Sequence, residues 1–145
     1  MSKPFKRLLI TGAAGRLGSV LRKHLAAFAD ELRLTDIADM GHAAPHEQLG
    51  RCDLTTFDDV LPLTEGVDAI VHAGGVPVED TFEKILNGNI VGTYNIYEAA
   101  RRNGVKRVVY TSSNHAIGFY DPTETIDATA AHRPASLYGV SKCFA

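Results

Sequence analysis

Cysteine, long apolar runs and blocks of like charge are scarce or missing in this chain, and each absence closes off a class of protein. The two cysteines, Cys52 and Cys143, stand far apart. That spacing fits neither a disulfide framework nor a zinc site, and reduced thiols in a cytoplasmic protein are expected. No apolar stretch approaches the ~20 residues of a membrane-spanning helix. Leu8-Leu9-Ile10, after the N-terminal six residues, is too short for the apolar core of a signal peptide. Lysine and arginine form no block and the formal net charge is −2, so no nucleic-acid partner is expected. There is no internal repeat, low-complexity tract or interdomain linker. What remains is 145 residues, 45% hydrophobic, enough for one domain with a real core.

The first 36 residues carry the densest pattern. Arg7 to Thr11 is a short apolar run that ends at glycine and reads as a buried strand. Leu17, Val20, Leu21, His24, Leu25 and Phe28 then recur at helical spacing, an apolar stripe on one face. Glu31 to Thr35 reads as a second strand, ending at Asp36. Between strand and helix lie Gly12, Gly15 and Gly18, spaced G-x-x-G-x-x-G. In a dinucleotide-binding turn the first glycine permits the sharp turn. The second lets backbone approach a pyrophosphate, and the third lets helix and strand pack closely. The pyrophosphate would rest on the free N–H groups and positive end of the helix. Asp36, 18 residues after Gly18, is placed to accept from both ribose hydroxyls. A carboxylate there repels a 2′-phosphate, and no base lies among Ile37, Ala38, Asp39 and Met40, so NAD is expected over NADP.

The rest of the chain continues the alternation. Gly41 to Glu47 is a loop around Pro45, and its His42 and His46 are expected to be solvated, with no metal site. Gln48 to Cys52 reads as a third strand, followed by Asp53-Leu54. Asp53 could accept from an adenine amino group, or simply cap the next helix with Thr55 and Thr56. Phe57, Val60 and Leu61 suggest a short helix stopped near Pro62. Val67 to His72 is a fourth strand running into Ala73-Gly74-Gly75, small residues that leave a crevice for a ligand. His72 is expected as a hydrogen-bonded core histidine. Thr81 to Asn103 reads as one long helix with Gly104 as its stop. Asn89 falls inside its apolar stripe and should have a buried partner. Gly88 and Gly92 weaken the helix but allow close packing. Val105 to Tyr110 is a fifth strand, leading into Thr111-Ser112-Ser113-Asn114-His115. Ala116 to Ala135 is a long irregular segment, of the kind that is often functional.

Near the C-terminus stands Tyr138-x-x-x-Lys142. On a helix these two share a face. A phenol near pH ~10 is a poor base at neutral pH, and a fixed ammonium beside it favours the phenolate. Bringing such a group to about 7 takes roughly 4 kcal/mol. One lysine and a second positive charge could supply that.

Together, the three glycines, Asp36, Asp53-Leu54, Ala73-Gly74-Gly75, Ser113 and Tyr138-x-x-x-Lys142 resemble an extended short-chain dehydrogenase/reductase over almost the whole chain. Ser112 to Tyr120 (SSNHAIGFY) and Arg133-Pro134 with Leu137 to Phe144 look like the NAD-dependent uronate dehydrogenases. Those enzymes oxidise C1 of hexuronic acids such as glucuronate and galacturonate to an aldarolactone. The resemblance implies an α/β Rossmann-type, doubly wound parallel sheet of order 3-2-1-4-5. It implies NAD held by Gly12, Gly15, Arg16, Leu17, Gly18, Asp36, Ile37, Asp53, Leu54, Ala73, Gly74, Gly75, Tyr138 and Lys142. Tyr138 would take the proton from the anomeric hydroxyl, helped by Lys142 and by the positive nicotinamide. Ser113 would bond the reacting oxygen, and Asn114 and His115 would position the sugar. A homo-oligomer through the 81–103 helix is also implied.

The chain departs from that pattern twice. Pro77 stands where the family is expected to carry a serine. The family also continues with further strands and a small substrate region, so residues 1–145 are expected to form an NAD-binding domain truncated after the Tyr-x-x-x-Lys motif. Two other readings stand beside this one. The chain could be an NAD-binding domain without catalysis, or a nucleotide-sugar epimerase or dehydratase. Asn114-His115 argues against the last.

Overall fold

A computed structural model describes residues 2–145. Strand β1 (Phe5–Thr11) leads into helix α1 (Arg16–Leu25), then β2 (Ala29–Asp36) and β3 (Glu47–Arg51). Helix α2 (Phe57–Leu63), β4 (Ala69–His72), and the helical rod α3 (Phe82–Ile85), a π-turn (Leu86–Val91) and α4 (Gly92–Arg102) follow. Strand β5 (Arg107–Tyr110), a 3₁₀ turn (Asn114–Ile117) and α5 (Leu137–Lys142) complete the chain. The five strands are parallel, in the order β3-β2-β1-β4-β5. This is the expected doubly wound sheet.

The apolar run Leu8-Leu9-Ile10 is continuous because β1 is covered on both faces. Successive side chains point to opposite sides. Leu8 and Ile10 enter a core with Leu32 and Leu34, against Leu21 and Leu25 of α1. Leu9 enters the other, with Ile70, Val60 of α2 and Ile96 of α4. Cys52 is buried in that second core, where desolvation pushes its thiol up to about 11; both cysteines are free.

Several boundaries differ from the sequence reading. The stripe on α1 is only partly buried: Leu17 and Val20 are about half exposed, because they face a cavity rather than the core. The helix ends at Leu25, before Phe28, and β2 already begins at Ala29. Strand β3 ends at Arg51, one residue before Cys52. Helix α2 stops near Pro62 as expected, with that proline inside its last turn. The expected long helix is helical over residues 82–102 but not uniformly α. It widens into a π-turn at Leu86–Val91, where Asn89 turns its side chain into the protein. A methyl at Gly88 would lie 3.0 Å from Val76 Cγ2, and one at Gly92 3.1 Å from Leu54 Cβ. The rod lies that close to the loops beside it. No helix among the described residues is long and apolar enough to cross a membrane.

Candidate active site

A cavity of about 870 Å³ opens at the carboxyl ends of the strands. That lies within the ~300–1,000 Å³ usual for small-molecule sites. Its floor is the turn after β1. Gly12 has φ +69°, and a methyl there would lie 2.7 Å from the Ala73 carbonyl and the Gly74 nitrogen. A methyl at Gly18 would collide with the Gly12 carbonyl oxygen. Gly15 is the N-cap of α1 and brings no side-chain cap, which leaves the first N–H groups of that helix facing the cavity. Arg16 and Leu17 lie on the same wall.

The second wall is built on Asp36. Its Oδ2 accepts from the Ala14 N–H at 2.9 Å and its Oδ1 from the Ala38 N–H at 3.0 Å. Each oxygen keeps a lone pair for a further donor. Ile37 is 62% exposed and lines the cavity beside it. Arg51 stands opposite Asp36 in the β2–β3 register, a base that reading along the chain did not place near the acid. Asp53 Oδ1 accepts from the Thr55 N–H and hydroxyl, at 2.9 and 2.8 Å. These bonds close a local turn before α2 rather than cap it, since the N-cap is Thr56 and it has no side-chain cap; Asp53 and Leu54 line the cavity as well.

Ala73, Gly74 and Gly75 form the third wall. Behind them sits a buried chain of hydrogen bonds. The Gly74 N–H donates to Thr11 Oγ1 at 3.0 Å, Thr11 Oγ1 lies 2.7 Å from His72 Nδ1, and His72 Nε2 lies 3.1 Å from Thr93 Oγ1. His72 is thus a hydrogen-bonded core histidine. Burial, and to a lesser extent the Lys142 charge, pushes its ionisation down to about 4.

The last wall belongs to α5. Ser136 caps it by accepting from the Gly139 N–H at 3.0 Å. Glu79, 59 residues away, accepts from the Tyr138 N–H at 2.8 Å. Nothing in the sequence pointed to Glu79. Tyr138 and Lys142 are both buried, at 8% and 7% exposure, and both face the cavity. Lys142 Nζ lies 5.6 Å from the centre of the Tyr138 ring and 4.9 Å from that of Tyr110. It donates to the Thr111 carbonyl at 3.2 Å. Desolvation pulls the ammonium below the usual lysine range. Burial likewise pushes the Tyr110 phenol up to about 12.

Thr111 and Ser112 reach the cavity wall, but Ser113, Asn114 and His115 stand beside it rather than in its lining. Ser113 caps the 3₁₀ turn, accepting from the His115 N–H at 3.2 Å. The His115 ring meets Tyr138 edge-on, with centroids 5.4 Å apart. The turn can approach α5 this closely because residue 139 is glycine; a methyl there would strike the His115 carbonyl oxygen.

Known proteins share this fold. A uronate dehydrogenase from Pseudomonas putida is 57% identical over 142 residues, covering 97% of this chain and 53% of its own length. A point-substituted uronate dehydrogenase from Agrobacterium tumefaciens, solved in complex with NAD, superposes with a TM-score of 0.94 at 51% identity, covering 97% of this chain and 53% of that one. A UDP-galactose 4-epimerase superposes with a TM-score of 0.84 at 28% identity, covering 95% of this chain and 48% of that one. The chain therefore spans about half the length of these relatives. The model of the NAD dependent epimerase/dehydratase family matches residues 8–145, and with that match and more than half of its residues shared with a dehydrogenase of this type, the chain belongs to that family.

Proposed function

We propose that the protein oxidises a hexuronic acid, glucuronate or galacturonate, at C1 with NAD, giving an aldarolactone. Residues 1–145 would be its NAD-binding domain. The observation that carries this reading is the meeting of Tyr138 and Lys142 with the glycine turn and Asp36 around one cavity. The likeness to uronate dehydrogenases supports the choice of substrate.

The residues present fit NAD. The turn at Gly12 and Gly18 has no room for a side chain, so backbone N–H groups can approach a pyrophosphate. The Asp36 oxygens have acceptor capacity for ribose hydroxyls and disfavour a 2′-phosphate. Arg16, Leu17, Ile37, Asp53, Leu54 and Ala73 to Gly75 would complete the contacts. NAD, when bound, supplies the hydride acceptor. Tyr138 takes the proton of the anomeric hydroxyl as general base. Lys142, held by Thr111, sets its positive charge beside that phenol and donates to the nicotinamide ribose. Ser113 donates to the reacting oxygen, and Asn114 and His115 orient the sugar, a contribution from positioning.

A second copy would dock on the 82–102 rod, where Phe82 and Tyr94 are 64% and 57% exposed. The protein would work in the cytoplasm, where its free thiols stay reduced.

The test is NADH production from galacturonate and glucuronate, with wild type and Tyr138→Phe, alongside calorimetry with NAD. Loss of the general base should lower turnover by roughly 10²–10⁴ while NAD still binds. Equal turnover in the two proteins would sink the assignment of Tyr138. Binding without turnover in wild type would leave an NAD-binding domain that does not catalyse alone.

A further inference from the structure

Ser141 lies between Tyr138 and Lys142 on α5, buried to 1% exposure, and faces away from the cavity. Its hydroxyl has one proton and uses it on the Tyr138 carbonyl at 2.7 Å. It accepts from Asn89 Nδ2 at 2.9 Å. Asn89, also 1% exposed, is held from the other side. The Val76 N–H donates to Asn89 Oδ1 at 2.7 Å, and Nδ2 also donates to the Val76 carbonyl at 3.2 Å. An N–H needs an acceptor and a carbonyl needs a donor, so Val76 determines which end of the amide is which. The amide nitrogen must then face Ser141, and Ser141 must spend its proton on Tyr138. Every hydrogen in the chain has one place.

The two ends of this chain belong to two walls of the cavity. Val76 belongs to the loop after β4, whose Gly75 has φ +137° and would place a methyl 2.6 Å from Asn89 Oδ1. Tyr138 belongs to α5, which has only six residues. A helix so short is marginal by itself and takes its position from its attachments. Asn89 can reach both walls because it sits in the π-turn of the rod, the kind of widened turn that recurs at functional sites.

We propose that Ser141 is a positioning residue: with Asn89 it forms a buried strut that couples the cofactor-facing loop at Val76 to the helix carrying Tyr138. A shift in either wall is passed to the other, because a buried amide left without a partner is costly. Ser141 touches neither ligand nor reacting atoms.

Native-state hydrogen exchange on this chain tests the strut without ligand, using Ser141→Ala and Ser141→Thr. Ser141 has no contact with the Val76 N–H, so a local role on α5 would leave Val76 unchanged. The strut requires Val76 to exchange about tenfold faster in Ser141→Ala while Ile10 in β1 stays as in wild type, the signature of local opening. Ser141→Thr, which keeps the hydroxyl, should restore protection. Val76 exchange unchanged in Ser141→Ala, or raised only in step with Ile10, would overturn the proposal. A second arm rests on the NAD reading: NAD should protect the Tyr138 amide in wild type and not in Ser141→Ala. If calorimetry finds no NAD binding to wild type, that reading fails, while the Val76 result still decides the strut.

Discussion

The two sides of the cavity are built differently. The side formed by β1, α1 and β2 is made of neighbours in sequence. Its strands run seven and eight residues, and Asp36 ties back to Ala14 across 22 residues. Its glycines touch backbone, which cannot move aside. The side formed by β5, the 3₁₀ turn and α5 is made of short pieces. Strand β5 has four residues and α5 six, and Val109, Phe119 and Val140 are 51%, 71% and 50% exposed. Here positions depend on single side chains that reach α5 from far along the chain: Glu79, Asn89, and Ser112, whose hydroxyl donates to the Lys142 carbonyl at 3.2 Å. A site that must grip a large cofactor and also place one phenol can use a rigid cradle for the first task. The second rests on a few long-range hydrogen bonds.

That contrast can be broken at the cradle. Gly18→Val should be the most damaging substitution, since its Cβ would meet the Gly12 carbonyl with nothing free to yield. Loss of the cooperative unfolding transition, or of NAD binding in any folded fraction, is the expected result by circular dichroism and calorimetry. A well-folded variant that binds NAD normally would show the cradle to be more pliable than described.

His72 ties the cradle, through Thr11, to the rod, through Thr93. In the unfolded chain a histidine takes a proton near ~6.5, whereas burial holds it neutral in the fold down to about 4. Its stabilising contribution is therefore complete above the unfolded value and is lost as pH falls from there towards 4. Between pH ~7 and ~5 this amounts to about 2 kcal/mol. Urea unfolding at the two pH values should show that loss in wild type. In His72→Gln the loss should be smaller by that amount; an identical pH slope would mean that His72 ionises freely in the fold.

Asp36→Ala sharpens the comparison on the ligand side. Losing a charged acceptor that also orders Ala14 should weaken NAD binding roughly tenfold. The ratio of NADP to NAD affinity should rise, because Arg51 stands opposite in the register. Competitive calorimetry reads both. The smallest effect is expected at Glu98→Gln. Glu98 pairs with Arg101 and Arg102 on the exposed surface of α4, and such pairs contribute little. Its carboxyl is held down at about 2 by those arginines, yet the melting temperature should not change resolvably at neutral pH.

The unevenness of the molecule matches the unevenness with which it could be read. The glycine turn, Asp36 and the strands flanking them are visible in about thirty consecutive residues, because a periodic apolar pattern and a backbone that excludes side chains both leave marks in local sequence. The alternation of elements pointed to a parallel sheet, and its order followed from the family resemblance. Leu17 and Val20 misled because a cavity wall and a core face look alike in sequence. The π-turn was hidden in a pattern that fits an α-helix equally well. Ser113, Asn114 and His115 were legible as polar residues at a strand exit, but not their place beside the cavity instead of in its lining.

By itself, then, the sequence determined the doubly wound sheet, the cradle with its acid, and the pairing of Tyr138 with Lys142 on one helical face. Each of those rests on interactions within one element or between adjacent ones. Only the tertiary structure decided that Glu79 holds the Tyr138 amide, that Arg51 faces Asp36, and that Asn89 and Ser141 join the Val76 loop to α5. Those contacts form between residues far apart in the chain, through single hydrogen bonds or strand register that leave no periodic trace. They exist only once the sheet has brought their elements together.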